Sequence, residues 1–509
     1  MADQARDSLE RRPGDLLVVV TLAERTAEFR ALRRSLEESI LPLATSVDGR
    51  RFELQASLHG LDLHVGGYVV LEGDDGRRLG QVVKLELARI EGSEVSTGEG
   101  ELALRTRMTL RAARGEGVVL DGDGKPFHDT LARPAAPAEV TEWLAASRPE
   151  RAAPAIGELL LAAGVPATLD AGGFDRHTFL CGQSGSGKTY SLGLVLERLL
   201  VETDLRLVVL DPNSDYVRLG EVRAGVDEQL AAAYRDAARG VVVRRAGDGL
   251  HLRIGQLDPG ARASALGLDP VADREEFALV DELLGEGGMT LEELETSEAP
   301  HARALRLRVG NLGVERWGLW ARGRPESIVD DVERRDARCL VVDLGSLATR
   351  EEQAVAAEAV LATLWRRRAE REPVLVVIDE SHNVCPHEPD DPVTALATEH
   401  AVRIAAEGRK FGLYLLVATQ RPQKVHENVL AQCDNLLLMR MNSLADLGFV
   451  ADVFSFVPPS LLERATAFRQ GEALVAGKIA SHPCFVRFGA RLGEEGGSDI
   501  PSDWARPRP

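Results

Sequence analysis

Residues 182–189, GQSGSGKT, carry every fixed position of the pattern G-x-x-x-x-G-K-[ST]. Chemistry explains the spacing. The glycines let successive backbone N–H groups turn inward around phosphates with no Cβ in the way. Lys188 then reaches the β/γ-phosphates, and the Thr189 hydroxyl can bind Mg²⁺. Gly182, Gln183, Ser184, Gly185, Ser186, Gly187, Lys188 and Thr189 are therefore a candidate cradle for ATP. Around them, His177–Cys181 (HTFLC) reads as a short buried strand and Thr189–Val201 as an apolar helix. Strand, loop and helix start together set a phosphate on the helix dipole. A P-loop alone does not separate a kinase from a GTPase or a motor.

The stretch Pro373–His382, PVLVVIDESH, narrows the choice. Val374–Ile378 reads as a strand buried on both faces, as in a parallel sheet. It ends in Asp379-Glu380. At such a strand end an aspartate holds Mg²⁺ through water, and a neighbouring glutamate polarises the attacking water. Adjacent strand residues point to opposite faces, so the two acids are expected to hold separate tasks. An Asp-Glu pair favours ATP hydrolysis over transfer to a small molecule; the plainer alternative is an acidic cap on the next segment.

Two further groups lie downstream. RIAAEGRKFG, residues 403–412, ends a helix just before the strand Leu413–Ala418, which runs into Thr419-Gln420-Arg421-Pro422. Gln420 at that strand end can sense the γ-phosphate or the attacking water. Arg409 is expected beside the sheet's active edge, where it can contact a phosphate across a subunit boundary. A solvated charge on the helix dipole is the competing role for it.

The elements that must position these residues are legible as apolar runs. Strands are expected at 177–181, 205–210, 339–342, 374–378, 413–418 and 435–439, separated by helices, which makes a mostly parallel α/β sheet. Ligand chemistry should gather at the strands' carboxyl ends, where every motif is expected to fall. Arg218–Ala337 reads as an inserted helical subdomain, with helical periodicity over Asp227–Arg239 and Glu275–Leu284. Upstream, Leu16–Val20, Gly67–Glu72 and Leu79–Leu87 are β-type runs. Gly73-Asp-Asp-Gly76 joins the second to the third as a hairpin turn. Glu101–Ala112 alternates apolar and polar residues. Residues 1–131 thus read as a small antiparallel barrel with a charged amphipathic helix over 23–45. Residues 132–155 read as a Pro/Ala-rich linker, 156–490 as the catalytic domain, and 491–509 as a C-terminal tail.

Taken in order, Gly182–Thr189, Asp379-Glu380-Ser381-His382, Glu407-Gly408-Arg409-Lys410 and Thr419-Gln420-Arg421-Pro422 resemble the HerA branch of the HerA–FtsK ATPases. Asp211-Pro-Asn-Ser-Asp-Tyr216, Val342-Asp-Leu-Gly-Ser-Leu347 and Gly471–Gly477 are similar to further stretches of that family, as are Ile156-Gly-Glu-Leu, Gly164-Val-Pro166 and Arg176-His177. Ser381 stands where the family more often has alanine, and Asp215 where it usually has glutamate. The resemblance implies a RecA-like P-loop ATPase core, and an N-terminal barrel of the kind shared with rotary ATP synthases. It implies a homo-oligomeric, hexameric ring with DNA in a central pore, and Arg176 and Arg409 as nucleotide-sensing or finger arginines. It also implies a partner nuclease or effector, in DNA repair or antiviral defence. A translocase or helicase is the first reading. The second is a scaffold ring that assembles and gates an effector without processive translocation.

Composition sets the limits. The 509 residues carry a net charge of −19, with 44% hydrophobic and 28% charged residues. An acidic chain is not coated in nucleic-acid-binding surface, so any DNA contact must be a local basic channel. Arg421 and Lys424 are the nearest basic candidates. Five scattered cysteines without a CxxC pair read as buried reduced thiols. No apolar run suits a membrane span or a signal peptide, so a cytoplasmic protein is expected.

Overall fold

A computed structural model describes residues 13–497, apart from 75, 98–103, 148–149, 300–301 and 324–325. The chain divides into two compact units, Met1–Trp143 and Leu144–Pro509.

In the first unit β1 (Leu43–Ser46), β2 (Arg51–Ser57), β3 (Tyr68–Gly73), β4 (Gly76–Thr97), β5 (Leu104–Val119) and β6 (Phe127–Pro134) close into a barrel, ordered β1-β2-β5-β4-β3-β6. Alternation builds it. Phe52, Leu54 and Ala56 of β2 face inward between exposed Arg51, Glu53 and Gln55, and join Ala44, Val69, Leu71 and Val82 in one core. Closure leaves no free strand edge. The hairpin falls where its turn sequence put it, with Gly73 opposite Gly76. Of the alternating run 101–112, residues 101–103 lie outside the described residues. Leu16–Val20 is not a strand. It belongs to helix α1, Pro13–Glu38, so a local β-branched run was overridden by its context. Near the end of α1, Glu37 accepts a 3.0 Å hydrogen bond from the Arg111 N–H of β5. Helix α2, Pro137–Ser147, occupies the middle of the Pro/Ala-rich stretch.

The second unit is built on one 11-stranded sheet. Its strands are β7 (Ala155–Leu159), β8 (Pro166–Thr168), β9 (His177–Cys181), β10 (Arg206–Asp211), β11 (Val241–Arg244), β12 (Cys339–Asp343), β13 (Val374–Ile378), β14 (Leu413–Thr419), β15 (Cys433–Met439), β16 (Glu472–Ala476) and β17 (Cys484–Phe488). They run β11-β12-β10-β13-β14-β9-β15-β16-β17-β7-β8. Pairs from β11 to β15 are parallel, and those beyond β15 antiparallel. Every residue of β9, β10, β12 and β13 is buried, which is why these strands read as unbroken apolar runs.

Helix α3 (Lys188–Glu202) leaves the P-loop. The insertion holds α4 (Glu228–Ala238), α5 (Pro259–Ala265), α6 (Arg274–Leu284), α7 (Leu291–Thr296), α8 (Arg303–Leu312) and α9 (Ile328–Arg334). It is not purely helical. Its segment β11 pairs with β12 and forms an edge of the main sheet, because Val241-Val-Val243 can bury against that edge. Helices α10 (Arg350–Arg366) and α11 (Pro392–Glu407) pack on each other. Among the described residues, no helix is long and apolar enough to cross a membrane.

The segment read as a C-terminal tail is packed over residues 491–497, while 498–509 lie outside the described residues. Arg491 Nε donates to Glu197 Oε1 of α3 at 2.6 Å, with both side chains fully buried. The Leu492 N–H takes the other Glu197 oxygen, also at 2.6 Å, and Gly496 N–H reaches the Asp215 carbonyl. A Cβ on Gly193 would stand 2.5 Å from Arg491 Cζ. Gly193→Ala is therefore expected to destabilise the fold by about 1–3 kcal/mol, as overpacking does. Gly220→Ala, whose Cβ would meet nothing nearer than 3.7 Å, serves as the control. Thermal unfolding of the two variants checks it; equal melting temperatures would show that Arg491 gives way freely.

Candidate nucleotide-binding site

The P-loop turns on two left-handed glycines, Gly185 (φ 72°) and Gly187 (φ 94°). Gly187 begins α3 with no side-chain capping bond, so the first-turn N–H groups remain for a ligand. A Cβ on Gly182 would lie 2.7 Å from Met439 Cβ and from Ser186 Oγ. The buried Ser186 hydroxyl has no protein partner among the described residues. Sheet and loop are tied together: Gln183 N–H donates to the Arg440 carbonyl at 2.9 Å, and Gly471 N–H to that of Ser186.

Lys188 is 7% exposed and points at the acid pair. Its ammonium pairs with Asp379 Oδ1 and lies 3.1 Å from Glu380 Oε1. Burial pulls its pKa down, but the two carboxylates outweigh burial and raise it above the ordinary lysine value. The expectation that the acids face opposite ways is thus corrected. The strand ends at Ile378, and Glu380 takes a left-handed conformation (φ 39°) that breaks the alternation and brings both carboxylates to one ammonium. Such a backbone is costly for a non-glycine residue and concentrates at functional sites. Asp379 is held further, by the Glu380 N–H on Oδ1 at 2.8 Å and the Tyr216 hydroxyl on Oδ2 at 3.0 Å. His382 Nδ1 lies 3.3 Å from Glu380 Oε2 and 3.0 Å from Thr419 Oγ1.

Around this core stand acids whose roles the motifs left unassigned. Asp211 receives the N–H groups of Asp215 and Tyr216 at 3.0 and 2.8 Å, and Asp343 receives the Ser214 hydroxyl at 2.6 Å. Burial, opposed by those backbone donors, pushes Asp211 up to about 7. Burial and then the Asp379 charge raise Asp215 to about 6. Arg440 belongs to none of the sequence motifs. It stands just past the carboxyl end of β15 and donates to the Gly185 carbonyl at 3.1 Å; a cation at the carboxyl end of a strand is the signal that marks it.

Gln420 stands directly after β14, whose Thr419 pairs with Cys181, so it lies next to the P-loop strand. Arg176 and Arg409 do not. Arg176 precedes β9 and Arg409 precedes β14, at the amino ends of the strands. Arg409 pairs with Asp434 near the start of β15 at 2.8 Å, and Arg176 lies between Asp175 at 3.5 Å and Asp434 at 3.9 Å. Buried His177 at the same edge accepts the Leu415 N–H at 2.9 Å and is lowered to about 4, by burial first and the Arg409 charge second. β14 has seven residues, so at about 3.3 Å each the two edges stand roughly 20 Å apart. The motifs therefore do not all gather at the carboxyl ends, and Arg409 is not beside the P-loop of its own chain.

The family model described as the central domain of helicase HerA matches residues 154–300, including the whole P-loop. The DNA double-strand break repair helicase HerA of Pyrococcus furiosus is 25% identical over 424 residues, covering 68% of this chain and 72% of that protein. The chain is similar to these HerA proteins. The protein of the same description from Sulfurisphaera tokodaii is 35% identical over 127 residues, a quarter of each chain. Among solved structures, VirB4 of Thermoanaerobacter pseudethanolicus is 16% identical with a TM-score of 0.47, covering 67% of this chain and 98% of that one. The central-domain match ends before Asp379, so the acid pair is placed by the sheet register rather than by that match.

The raised acids carry a sign. A carboxyl whose folded pKa exceeds its unfolded value of about 3.9 contributes stability at low pH, and loses it as pH rises through the folded value. For Asp215 that window runs from about pH 4 to pH 6. Asp215→Asn is expected to melt higher than the parent at pH 8, with the advantage shrinking towards pH 4.5. Melting curves at both pH values check this, and a constant difference would remove Asp215 from the acidic cluster.

Proposed function

We propose that this chain hydrolyses ATP and works as a ring-forming motor on DNA. The observation that carries the proposal is the convergence of Lys188, Asp379 and Glu380 beside an uncapped helix start, with the two arginines on the opposite edge. In this reading the glycine turn and Lys188 hold the β- and γ-phosphates, and Thr189 and Asp379 would hold Mg²⁺, which neutralises phosphate charge when bound. The donor set fits: a hydroxyl and a carboxylate oxygen are hard ligands. Glu380 polarises the attacking water, oriented by His382, while Gln420 contacts the water or the γ-phosphate. Lys188 would exchange its carboxylates for phosphate, which frees Glu380 to act.

Arg176 and Arg409 are too far from this cradle to serve it in their own chain. A neighbouring copy supplying them accounts for both, and supports a ring, taken here to be hexameric as the HerA resemblance implies. A guanidinium spreads its charge over the γ-phosphate oxygens as they gain charge in the transition state. Such a finger is worth roughly 10³–10⁵ in rate. Arg409→Ala and Glu380→Gln subunits should each be inactive alone, and their mixture should recover ATPase activity, because some interfaces then join an intact Glu380 to an intact Arg409. A mixture that forms rings yet stays inactive would return the arginine to its own subunit.

The DNA reading rests on the HerA likeness, and on exposed Arg421 and Lys424 directly after Gln420. Binding is expected to fall steeply between 50 and about 200 mM salt, as counterion release requires, and DNA should stimulate ATP hydrolysis. A ring whose ATPase ignores DNA would instead be the scaffold that gates a nuclease or other effector.

A further inference from the structure

Away from the P-loop, three side chains from separate helices meet. Asp258 precedes α5, Glu358 lies mid-way along α10, and His400 lies mid-way along α11. One oxygen or nitrogen from each falls within 4.8 Å of the others. His400 Nε2 stands 3.5 Å from Glu358 Oε1. Glu358 is 1% exposed and His400 8%. Both keep a buried atom, Glu358 Oε2 and His400 Nδ1, without a protein hydrogen-bond partner among the described residues. That is an expensive arrangement, since buried polar groups are normally satisfied; an ion on the Glu358 carboxylate would relieve Oε2, whereas His400 Nδ1 lies across the ring from the Nε2 that faces Glu358. Asp258 stands at the N-cap of α5 yet makes no capping bond. Its carboxylate turns instead to the cluster's edge, where Arg366 Nη1 reaches Oδ1 at 3.1 Å.

We propose that Asp258, Glu358 and His400 bind a divalent first-row cation, Zn²⁺ or Mn²⁺, that staples the insertion to the α10–α11 pair. Two carboxylates neutralise a 2+ ion, and one imidazole biases the set towards transition metals over Mg²⁺ or Ca²⁺. Ligands at about 2.0–2.2 Å from a tetrahedral ion sit roughly 3.4 Å apart, which the Glu358–His400 spacing already meets. Asp258, the one partly exposed member, closes the remaining gap by turning from Arg366. Arg366 then keeps Glu333, 3.6 Å from its Nη2, as its counter-charge. Water fills the other coordination positions, because the protein offers three ligands.

The test uses the full chain, stripped with chelator and free of nucleotide, in equilibrium dialysis against Zn²⁺, Mn²⁺ or Mg²⁺. One tightly held Zn²⁺ or Mn²⁺ per chain is expected, Mg²⁺ should bind at least about tenfold more weakly, and the ion should raise the melting temperature. Glu358→Gln and His400→Asn should lose that ion. If either fails to fold, the partly exposed Asp258→Asn, expected to weaken binding at least tenfold, decides the matter. A wild-type chain that retains no ion, or variants that retain it with unchanged affinity, would overturn the proposal. The latter result would send the ion to the cysteines or the P-loop acids.

Discussion

The second unit depends on one buried charge, the Lys188 ammonium. An ammonium taken out of water is tolerated only beside opposite charge, and here two carboxylates provide it. That requirement fixes the centre of the sheet. Lys188 lies beyond the end of β9 and the acids beyond the end of β13, with β14 between them. The pairing depends on the register of β13, β14 and β9: Ile378 lies beside Val417 and Cys181 beside Thr419, so β13 stops two residues short of β14 and the acids that follow it come level with the end of β9. A slip of one residue would carry the acids past Lys188 and leave a buried ammonium unpaired. The same register delivers Gln420 next to the cradle.

Charge also decides what such a cradle can accept. Asp211, Asp215, Asp343, Asp379 and Glu380 crowd the carboxyl edge, with Lys188 and Arg245, which pairs with Asp343 at 2.9 Å, as cations within it. A polyphosphate entering alone would meet net negative charge. Two features soften this. Asp211 and Asp215 are raised towards neutrality, and a divalent cation arriving with the phosphates would offset the rest. At the opposite edge Arg176 and Arg409 are matched by two aspartates, Asp175 at 3.5 Å from Arg176 and Asp434 at 2.8 Å from Arg409.

Much of this was legible in the sequence because it depends on short-range pattern. The P-loop is a contiguous motif, and fully buried strands announce themselves as apolar runs, so 177–181 and 374–378 were located to the residue. What depends on backbone geometry was not legible. Nothing in Asp379-Glu380 declares that the second acid leaves the strand in a left-handed turn, so period-two alternation sent it to the wrong face. Whether a residue precedes or follows its strand was readable, yet Arg409 was given the active edge because its motif neighbours lie there in sequence rather than in space. Short strands were the other loss. β1, β2, β6, β16 and β17 each span only four to eight residues, and β11 was masked by the helices around it.

The contacts at Glu380 continue outward. Its carboxylate faces His382, whose Nδ1 meets Thr419 Oγ1, and that hydroxyl accepts the Arg421 N–H at 3.0 Å. Arg421 opens a short 3₁₀ turn, Pro422–Lys424, whose last carbonyl receives the His387 N–H at 2.8 Å. The turn is thereby pinned to the segment just downstream of the acid pair. Two strand ends and the loops beyond them therefore lie along one path of contacts: the 3.3 Å approach of Glu380 to His382, then hydrogen bonds from His382 through Thr419 to the turn that carries exposed Arg421 and Lys424. A charge change at Lys188 alters the field on Glu380 and His382 first, and the hydroxyl between β13 and β14 is the next group along. The path is only four side chains long, from Lys188 through Glu380 and His382 to Thr419.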